Sequence, residues 1–563
     1  MIKRISLYAV ALLIGCLFMF FKKPVNNNPK DSRPSIVIIM ADDLGFSDIG
    51  CYGSEIHTPN IDYLAAHGLR YTRFYNTSRC CPTRASLLTG LYNQRAGIGN
   101  MTDQEDEPGY LGHLSENSVT IAEVLKSAGY HTAMSGKWHV SNTIGQKDAK
   151  EQLKWLNHQA YYDTFSPLAQ YPTSRGFEKF FGTIWGVIDY FDPFSLVSGT
   201  TPIRNVPKNY YHTDAINDTA AAYIKQFSKE DKPFFLYVAE NAPHWPLMAL
   251  PEDIAKYKDT YKVGWDSIRA RRYNKQVKAG LIDPIKTPLS PRWGDNLRWE
   301  DNPDKDWDAA AMAVHAAMID RMDQGIGRII KALKETGRLD NTLIVFLSDN
   351  GASNENCTAY GPGFDRPDQT RTGEKIVYDL KKQVISGKET SYASIGQRWA
   401  NVANTPYRYW KAESFEGGIH TPMIAFWPEG ITVKGGSLSN QLGHVKDFMA
   451  TFVAVAKAKY PTQYKGLAVI PTQGQSLAGS FKGHITTDEP LFNEHFGARY
   501  VRYQDWKLVS LAKDTTWNLF HIADDETETK EVSAKYPDRV KQMAFMWHQW
   551  AAENNVYPKP HSK

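Results

Sequence analysis

Two adjacent cysteines open the segment Cys80-Cys81-Pro82-Thr83-Arg84-Ala85-Ser86-Leu87-Leu88-Thr89-Gly90. Disulfide geometry disfavours a bond between chain neighbours, so the pair needs another explanation. The chain holds 5 cysteines, Cys16, Cys51, Cys80, Cys81 and Cys357. An odd set scattered over so long a chain is no disulfide framework. Two acidic clusters stand beside them. Asp42-Asp43 follow the apolar run SIVIIM (Ser35 to Met40), and Asp349-Asn350 follow TLIVFL (Thr342 to Leu347). Asp42, Asp43, Asp349 and Asn350 offer three carboxylates and an amide oxygen. Such a hard, all-oxygen set suits Ca²⁺ or Mg²⁺ rather than zinc. An acidic pair after one strand is usually a cap or a turn. Two pairs after two strands, with the cysteines between them in sequence, favour a metal site. His139, in Gly136-Lys137-Trp138-His139, and His244, in Ala242-Pro243-His244-Trp245-Pro246, add groups that titrate near neutrality and suit proton transfer.

The elements that would position these residues follow from the apolar patterning. Ser35 to Met40, Pro233 to Glu240 and Thr342 to Leu347 read as buried strands. Thr120 to Tyr130 reads as a helix that opens on a Thr120/Glu123 capping box and stops at Gly129. Asp308 to Thr336 reads as a long helix. Strand, polar turn and helix recur, which is the pattern of an α/β protein with a mostly parallel sheet. Sites in such folds form at the carboxyl ends of strands, where Asp42, Asp43, His244 and Asp349 fall. Lys258 to Asp304 and Cys357 to Asn401 lack a clean period and read as insertions that shape access to a site. Tyr500 to Leu511 and Trp517 to Phe520 read as short antiparallel strands. A last helix begins near Pro537, with Val540, Met543, Trp547 and Trp550 on its packed face.

The cysteine segment resembles the signature of the type I sulfatase family, in which the first cysteine of such a motif is oxidised to formylglycine (3-oxoalanine). The resemblance places the modification at Cys80 and leaves Cys81 a bystander. Ala41-Asp42-Asp43-Leu44-Gly45 and Ser348-Asp349-Asn350-Gly351-Ala352-Ser353 resemble the family's two metal motifs. It implies that residue 80 completes the metal shell. Gly136-Lys137-Trp138-His139 resembles the family's GKWH segment, with Lys137 on sulfate and His139 as base. Ala242-Pro243-His244-Trp245-Pro246 resembles the segment bearing the proton donor, His244. Asn404 to Lys411 resembles the segment that supplies a second sulfate-binding lysine, Lys411. Arg84, Lys137 and Lys411 would then ring the sulfate, although each taken singly would more often be a solvated surface cation. His420 stands where many family members carry Arg, and its role is open. The resemblance implies an alkaline-phosphatase-like α/β core. A mostly parallel central sheet is flanked by helices, and a smaller C-terminal domain carries a short antiparallel sheet and a packed helix. The expected boundaries are 1–33 for leader and tether, 34–470 for the catalytic domain and 471–563 for the C-terminal subdomain.

The chemistry of a sulfate ester gives the modification a physical motive. An anionic ester resists an anionic nucleophile, and a thiolate bound to sulfur would have no easy exit. An aldehyde hydrate offers one hydroxyl to attack and a second whose deprotonation re-forms the aldehyde and expels sulfate. The implied activity is hydrolysis of sulfate monoesters, first of sulfated glycans and second of aryl sulfates, after maturation by a formylglycine-generating enzyme. The alternatives are a phosphodiesterase or phosphonate monoester hydrolase on the same fold, or a catalytically dead glycan-binding protein. Glu494-His495 are further candidates for the substrate pocket, although a structural pair fits them better.

The 65 basic and 61 acidic residues give a net charge of +4, which argues against bulk nucleic-acid binding. Lys3 and Arg4 precede an apolar run from Ile5, and Leu13-Ile14-Gly15-Cys16 resembles a bacterial lipobox. The expectation is an exported protein of the periplasm or cell surface, lipid-anchored at Cys16 and touching membrane only there.

Overall fold

Strand β1 (Ser35–Ala41) shows why the centre of the molecule is a two-faced sheet. Every residue of it is buried. Val37, Ile39 and Ala41 pack into one apolar cluster, while Ile36, Ile38 and Met40 pack into another on the opposite face. A continuous β-branched and aliphatic run is what a strand covered on both sides requires. The computed structural model describes residues 31–556. The basic-apolar leader and Cys16 lie outside the described residues. Among the described residues no helix is long and apolar enough to cross a membrane.

The main sheet has ten strands. After β1 they are β2 (Leu69–Tyr71), β3 (His131–Gly136), β4 (Lys179–Thr183), β5 (Leu196–Ser198), β6 (Thr201–Pro202), β7 (Phe234–Ala239), β8 (Thr342–Ser348), β9 (Met423–Phe426) and β10 (Ser437–Ser439). Their spatial order is β10-β2-β9-β8-β1-β7-β3-β4-β5-β6. β8, β1, β7, β3 and β4 run parallel, and β1 sits between β8 and β7. β9 and β5 reverse direction beside this parallel block. The carboxyl ends of β8, β1, β7 and β3 therefore open side by side on one edge.

Helices cover both faces. α1 (Pro59–His67), α4 (His212–Phe227) and α6 (Lys305–Glu335) pack on one side, through residues such as Ile61, Ile216, Ile224 and Met318. α2 (Cys80–Thr89), α3 (Ile121–Ser127) and α7 (Asp447–Val455) pack on the other, through Leu87, Val124 and Phe448. The capping box of α3 is present: Glu123 N donates to Thr120 Oγ1 at 3.1 Å and Thr120 N to Glu123 Oε2 at 2.8 Å.

The stretch 258–304 departs from the expectation of irregular chain. It contains α5 (Trp265–Lys278), 14 residues long. Its buried face is Trp265, Ile268, Arg269, Arg272 and Gln276. The helical period is there, but arginine and glutamine occupy positions that apolar residues usually hold. Arg272 is wholly buried between Asp48 at 2.6 Å and Glu55 at 2.8 Å. The stretch 357–401 is mostly irregular, with a one-turn helix Cys357–Tyr360, a two-stranded pairing of Val377–Tyr378 with Ser391–Tyr392, and the start of helix Gly396–Ala403.

The C-terminal sheet has four strands, β11 (Leu491–His495), β12 (Ala498–Tyr503), β13 (Trp506–Ser510) and β14 (Asn518–His521), in antiparallel sequence. The stretch Tyr500 to Leu511, read as part of a set of short antiparallel strands, covers most of the β12–β13 hairpin, and β11 lacks a clear apolar signal. α8 (Pro537–Glu553) lays Met543, Trp547 and Trp550 against Val501, Leu508 and Leu519, as its periodicity implied. His420 belongs to the junction of this sheet with the core. Its Nδ1 lies 3.1 Å from Glu416 Oε2, and Lys507 Nζ on β13 lies 2.8 Å from Glu416 Oε1.

Candidate active site

Helix α2 begins at Cys80, and all ten of its residues are buried. Its N-terminus is aimed at the carboxyl edge of the sheet. Thr83, in the first turn, accepts from Thr77 N at 3.0 Å and so ties the entering chain to the helix. The helix ends at Gly90, whose φ of 71° is left-handed. A Cβ there would meet Met449 Cβ at 2.4 Å, so glycine alone lets α2 lie against α7.

The acids converge as their strand-end positions imply. Asp43 N donates to Asp349 Oδ1 at 3.3 Å, and Asn350 Nδ2 donates to Asp43 Oδ1 at 2.6 Å. Asp42, Asp43 and His244 bring ligand-type atoms within 4.8 Å of one another. Asp43 and His139 adopt φ of 64° and 53°, a region that non-glycine residues enter at a cost and that clusters at functional sites. Each carboxylate has its own cation. Asp42 Oδ2 meets Lys137 Nζ at 2.5 Å. Asp43 Oδ1 meets Lys411 Nζ at 2.8 Å. Asp349 Oδ2 accepts from Arg84 Nη2 at 2.8 Å and Nε at 3.2 Å. Three cations thus face three acids, one for each. Two buried oxygens, Asp42 Oδ1 and Asn350 Oδ1, accept no hydrogen bond. Paired carboxylates with unpartnered oxygens are what a hard divalent cation needs, so the residues present fit such an ion.

Electrostatics follows the packing. Burial raises the Asp42 carboxyl, but Lys137, then His244 and Arg84, outweigh it and hold the group well below the usual range. Burial and then the neighbouring Asp42 push Asp349 well above it. The Cys81 thiol beside it, then Lys137 and His139, hold the Cys80 thiol low against burial, which raises it. Burial pushes Cys81 up and draws His139 down to about 4. His139 Nε2 lies 3.3 Å from Cys81 Sγ, and the ligand-type atoms of Cys80, Cys81 and His139 lie within 4.8 Å of one another. Cys81 therefore touches the histidine predicted to serve residue 80. His244 is lowered by burial and by Lys411, against Asp43. Its Nδ1 faces Trp245 O at 2.5 Å and its Nε2 faces Lys411 Nζ at 3.2 Å, which assigns the proton to Nδ1.

A cleft of about 300 Å³ opens over the site. Cys80, His139, His244 and Lys411 line it, together with Arg79, Trp185, Trp245, Glu355, Tyr360 and Arg366. Arg84 and Lys137 do not line it. Both side chains are wholly buried and bound to Asp349 and Asp42. Arg84 also donates to Lys137 O at 2.9 Å. Glu494 stays out of the cleft, accepting from Gln94 at 3.2 Å and Tyr110 at 3.2 Å. The buried His495 beside it is also absent from the cleft wall. Sequence reasoning missed Glu355, Arg79 and Gly186. A Cβ on Gly186 would fall 2.3 Å from His139 Cε1, so the bare glycine makes room for the imidazole.

Comparison with known proteins agrees with this arrangement. The Sulfatase family profile matches residues 34–458, and the chain belongs to that family. It is 33% identical over 465 residues to an arylsulfatase of Klebsiella aerogenes, covering 80% of this chain and 92% of the relative. It is 31% identical over 571 residues to an uncharacterized sulfatase of Schizosaccharomyces pombe, covering 95% and 96% of the two chains. The crystal structure of Ps i-CgsB in complex with k-i-k-neocarrahexaose superposes with a TM-score of 0.63 at 23% identity, over 94% of this chain and 95% of that one. The fold is alkaline-phosphatase-like, and the enzyme is a sulfuric ester hydrolase.

Proposed function

We propose that the enzyme removes sulfate from sulfated saccharides, using a formylglycine made from Cys80 by a formylglycine-generating enzyme and a bound divalent cation, Ca²⁺ before Mg²⁺. One observation carries the reading: Cys80, the acid cluster, His139, His244 and Lys411 meet at the carboxyl ends of adjacent parallel strands, beneath one cleft. The saccharide complex of the similarly folded Ps i-CgsB supports the substrate class. Asp42, Asp43, Asp349 and Asn350, with residue 80, would hold the cation, which supplies neutralisation of sulfate oxygens and a lowered hydroxyl pKa. The hydrate of residue 80 supplies the attacking hydroxyl.

The chain's own groups do the rest. Arg84 orients Asp349 and joins it to the helix that carries residue 80. Lys411, which lines the cleft, balances the charge of the sulfate, while Lys137 holds Asp42 in place. His139, kept neutral by burial, accepts the proton from the residue-80 hydroxyl. His244, once it has taken a solvent proton at the Nε2 that faces Lys411, delivers that proton to the departing alkoxide and returns to the neutral form. Export with lipid attachment at Cys16 completes the reading and is supported by the leader's pattern; fatty-acid labelling lost in Cys16→Ala tests it.

Sulfate release from a panel of sulfated mono- and oligosaccharides, with enzyme co-produced with the maturation enzyme, tests the function. Release from at least one saccharide, absent in Cys80→Ala, is expected. Binding of saccharides without release by fully converted enzyme would overturn it.

A further inference from the structure

Glu355 is a carboxylate of the cleft wall that no metal motif claims and that touches two of the cleft's cations. Its Oε2 accepts from Trp245 Nε1 at 2.9 Å and Ser353 Oγ at 3.0 Å, and lies 3.3 Å from Lys411 Nζ. Its Oε1 accepts from Arg79 Nη2 at 3.2 Å. These partners adjoin the site in sequence: Arg79 precedes Cys80, Trp245 follows His244, and Lys411 touches Asp43. Burial opposes its charge, but Lys411 and Arg79 hold the carboxyl well below the usual range, so it is an anion throughout the working pH range. A fixed negative charge therefore stands beside Arg79 and Lys411, two of the cations that line the cleft, and it is the carboxylate that answers Arg79.

A sulfate monoester carries one negative charge. A phosphate monoester of the same shape carries nearly two above its second pKa of about 6. Arg84, Lys137 and Lys411 are matched one for one by Asp349, Asp42 and Asp43. Arg79 is matched by Glu355. We infer that Glu355 sets the charge that the cleft accepts, favouring a monoanionic sulfate ester over a dianionic phosphate ester. The inference rests on the sulfate-ester reading of the same cleft. It assigns Glu355 to selectivity by charge, acting beside Lys411 and Arg79, with no covalent part in the reaction.

The test compares kcat/KM for p-nitrophenyl sulfate and p-nitrophenyl phosphate at pH 8, with matured wild type, Glu355→Gln and Glu355→Asp. Inorganic phosphate serves as competitive inhibitor in the same assay. The two esters share shape and leaving group, so general damage to the site lowers both and leaves their ratio unmoved. Removing a unit charge several ångströms from the anion raises the phosphate-to-sulfate ratio about tenfold in Glu355→Gln at an intermediate dielectric, and tightens phosphate inhibition similarly. Glu355→Asp keeps the ratio within about threefold of wild type, because the charge is kept. Arg79→Gln, which leaves Glu355 less compensated, weakens phosphate inhibition and keeps the idea testable if Glu355→Gln does not fold. An unmoved ratio in a folded, sulfate-active Glu355→Gln overturns the inference, as does phosphate inhibition that tightens in Arg79→Gln. Wild type that turns over phosphate in preference to sulfate would instead sink the sulfate-ester reading, and the inference with it.

Discussion

Tyr190→Phe isolates one hydroxyl that clips the turn carrying His244. Tyr190 is buried, and its single hydroxyl hydrogen is shared between Asn241 O at 2.6 Å and His244 O at 2.9 Å. Both carbonyls belong to the turn after β7, which His244 N closes by donating to Asn241 O at 2.9 Å. Burial raises the phenol well above its ordinary range, so it remains a donor at every working pH. Phenylalanine keeps the ring and opens no large cavity, so the loss is confined to the hydrogen bonds. Asn241 O keeps a donor in His244 N, whereas His244 O is left short. One buried carbonyl without its donor costs about 1–3 kcal/mol, which the turn can relieve by shifting. A shift that takes His244 from its aim at the leaving oxygen shows where that oxygen needs a proton. The expected result is a loss in kcat/KM of about tenfold on saccharide or alkyl sulfates, equivalent to roughly 1.4 kcal/mol, with less than about twofold on nitrophenyl sulfate. Equal losses on both substrates, or none on either, would refute the reasoning that this hydroxyl serves the acid.

The same logic makes His244→Ala the larger case: about 10²–10⁴-fold on poor leaving groups and far less on nitrophenyl sulfate, read as a steeper dependence of kcat/KM on leaving-group pKa. Cys80→Ala abolishes turnover while circular dichroism and thermal unfolding stay near wild type; retained turnover would remove residue 80 from the reaction. Chelation lowers thermal stability, and Ca²⁺ added back restores about 2.7 kcal/mol at a hundredfold excess over its Kd, an effect that Asp42→Asn abolishes. Glu240 is wholly buried, accepts from Asn217 Nδ2 at 2.7 Å, and is raised by burial from 4.5 to about 8. The folded state holds this proton more tightly than the unfolded chain, so its contribution is full below about pH 4.5 and is lost as pH rises through about 8. Glu240→Gln should therefore match wild type in Tm at pH 5 and exceed it at pH 9; parallel decline of the two proteins would show that Glu240 is not the cause.

Much of the fold was legible because its central strands are unbroken apolar runs ending in acids. A strand buried on both faces can be little else, and Asp42, Asp43, Asp349 and Asn350 needed only that placement to converge. Helix α5 was hidden because its buried face includes Arg269, Arg272 and Gln276, whose satisfaction depends on Asn401 O, Asp48 and Glu55, and Tyr52 O and Thr405 O, all far away in sequence. β11 was hidden because Glu494 and His495 are polar residues of a buried strand. Within the site, sequence grouped Arg84 with the cleft cations, whereas the structure gives its whole guanidinium to Asp349, Asp42 and Lys137 O. Glu355, Arg79, Gly186 and Tyr190 matter through loops whose meeting no local pattern encodes. His420, left open by its place in the motif, has a structural answer in its contacts with Glu416 and Thr72 O.

The central claim is that turnover belongs to a modified Cys80. Preparations made with graded amounts of the maturation enzyme can be scored twice, by mass spectrometry of the peptide Cys80–Arg84 for the thiol-to-aldehyde change and by sulfate released per second per molecule. The account predicts a straight line through the origin, with unconverted enzyme folded but inactive. Sulfate release that does not vary with the converted fraction would contradict it.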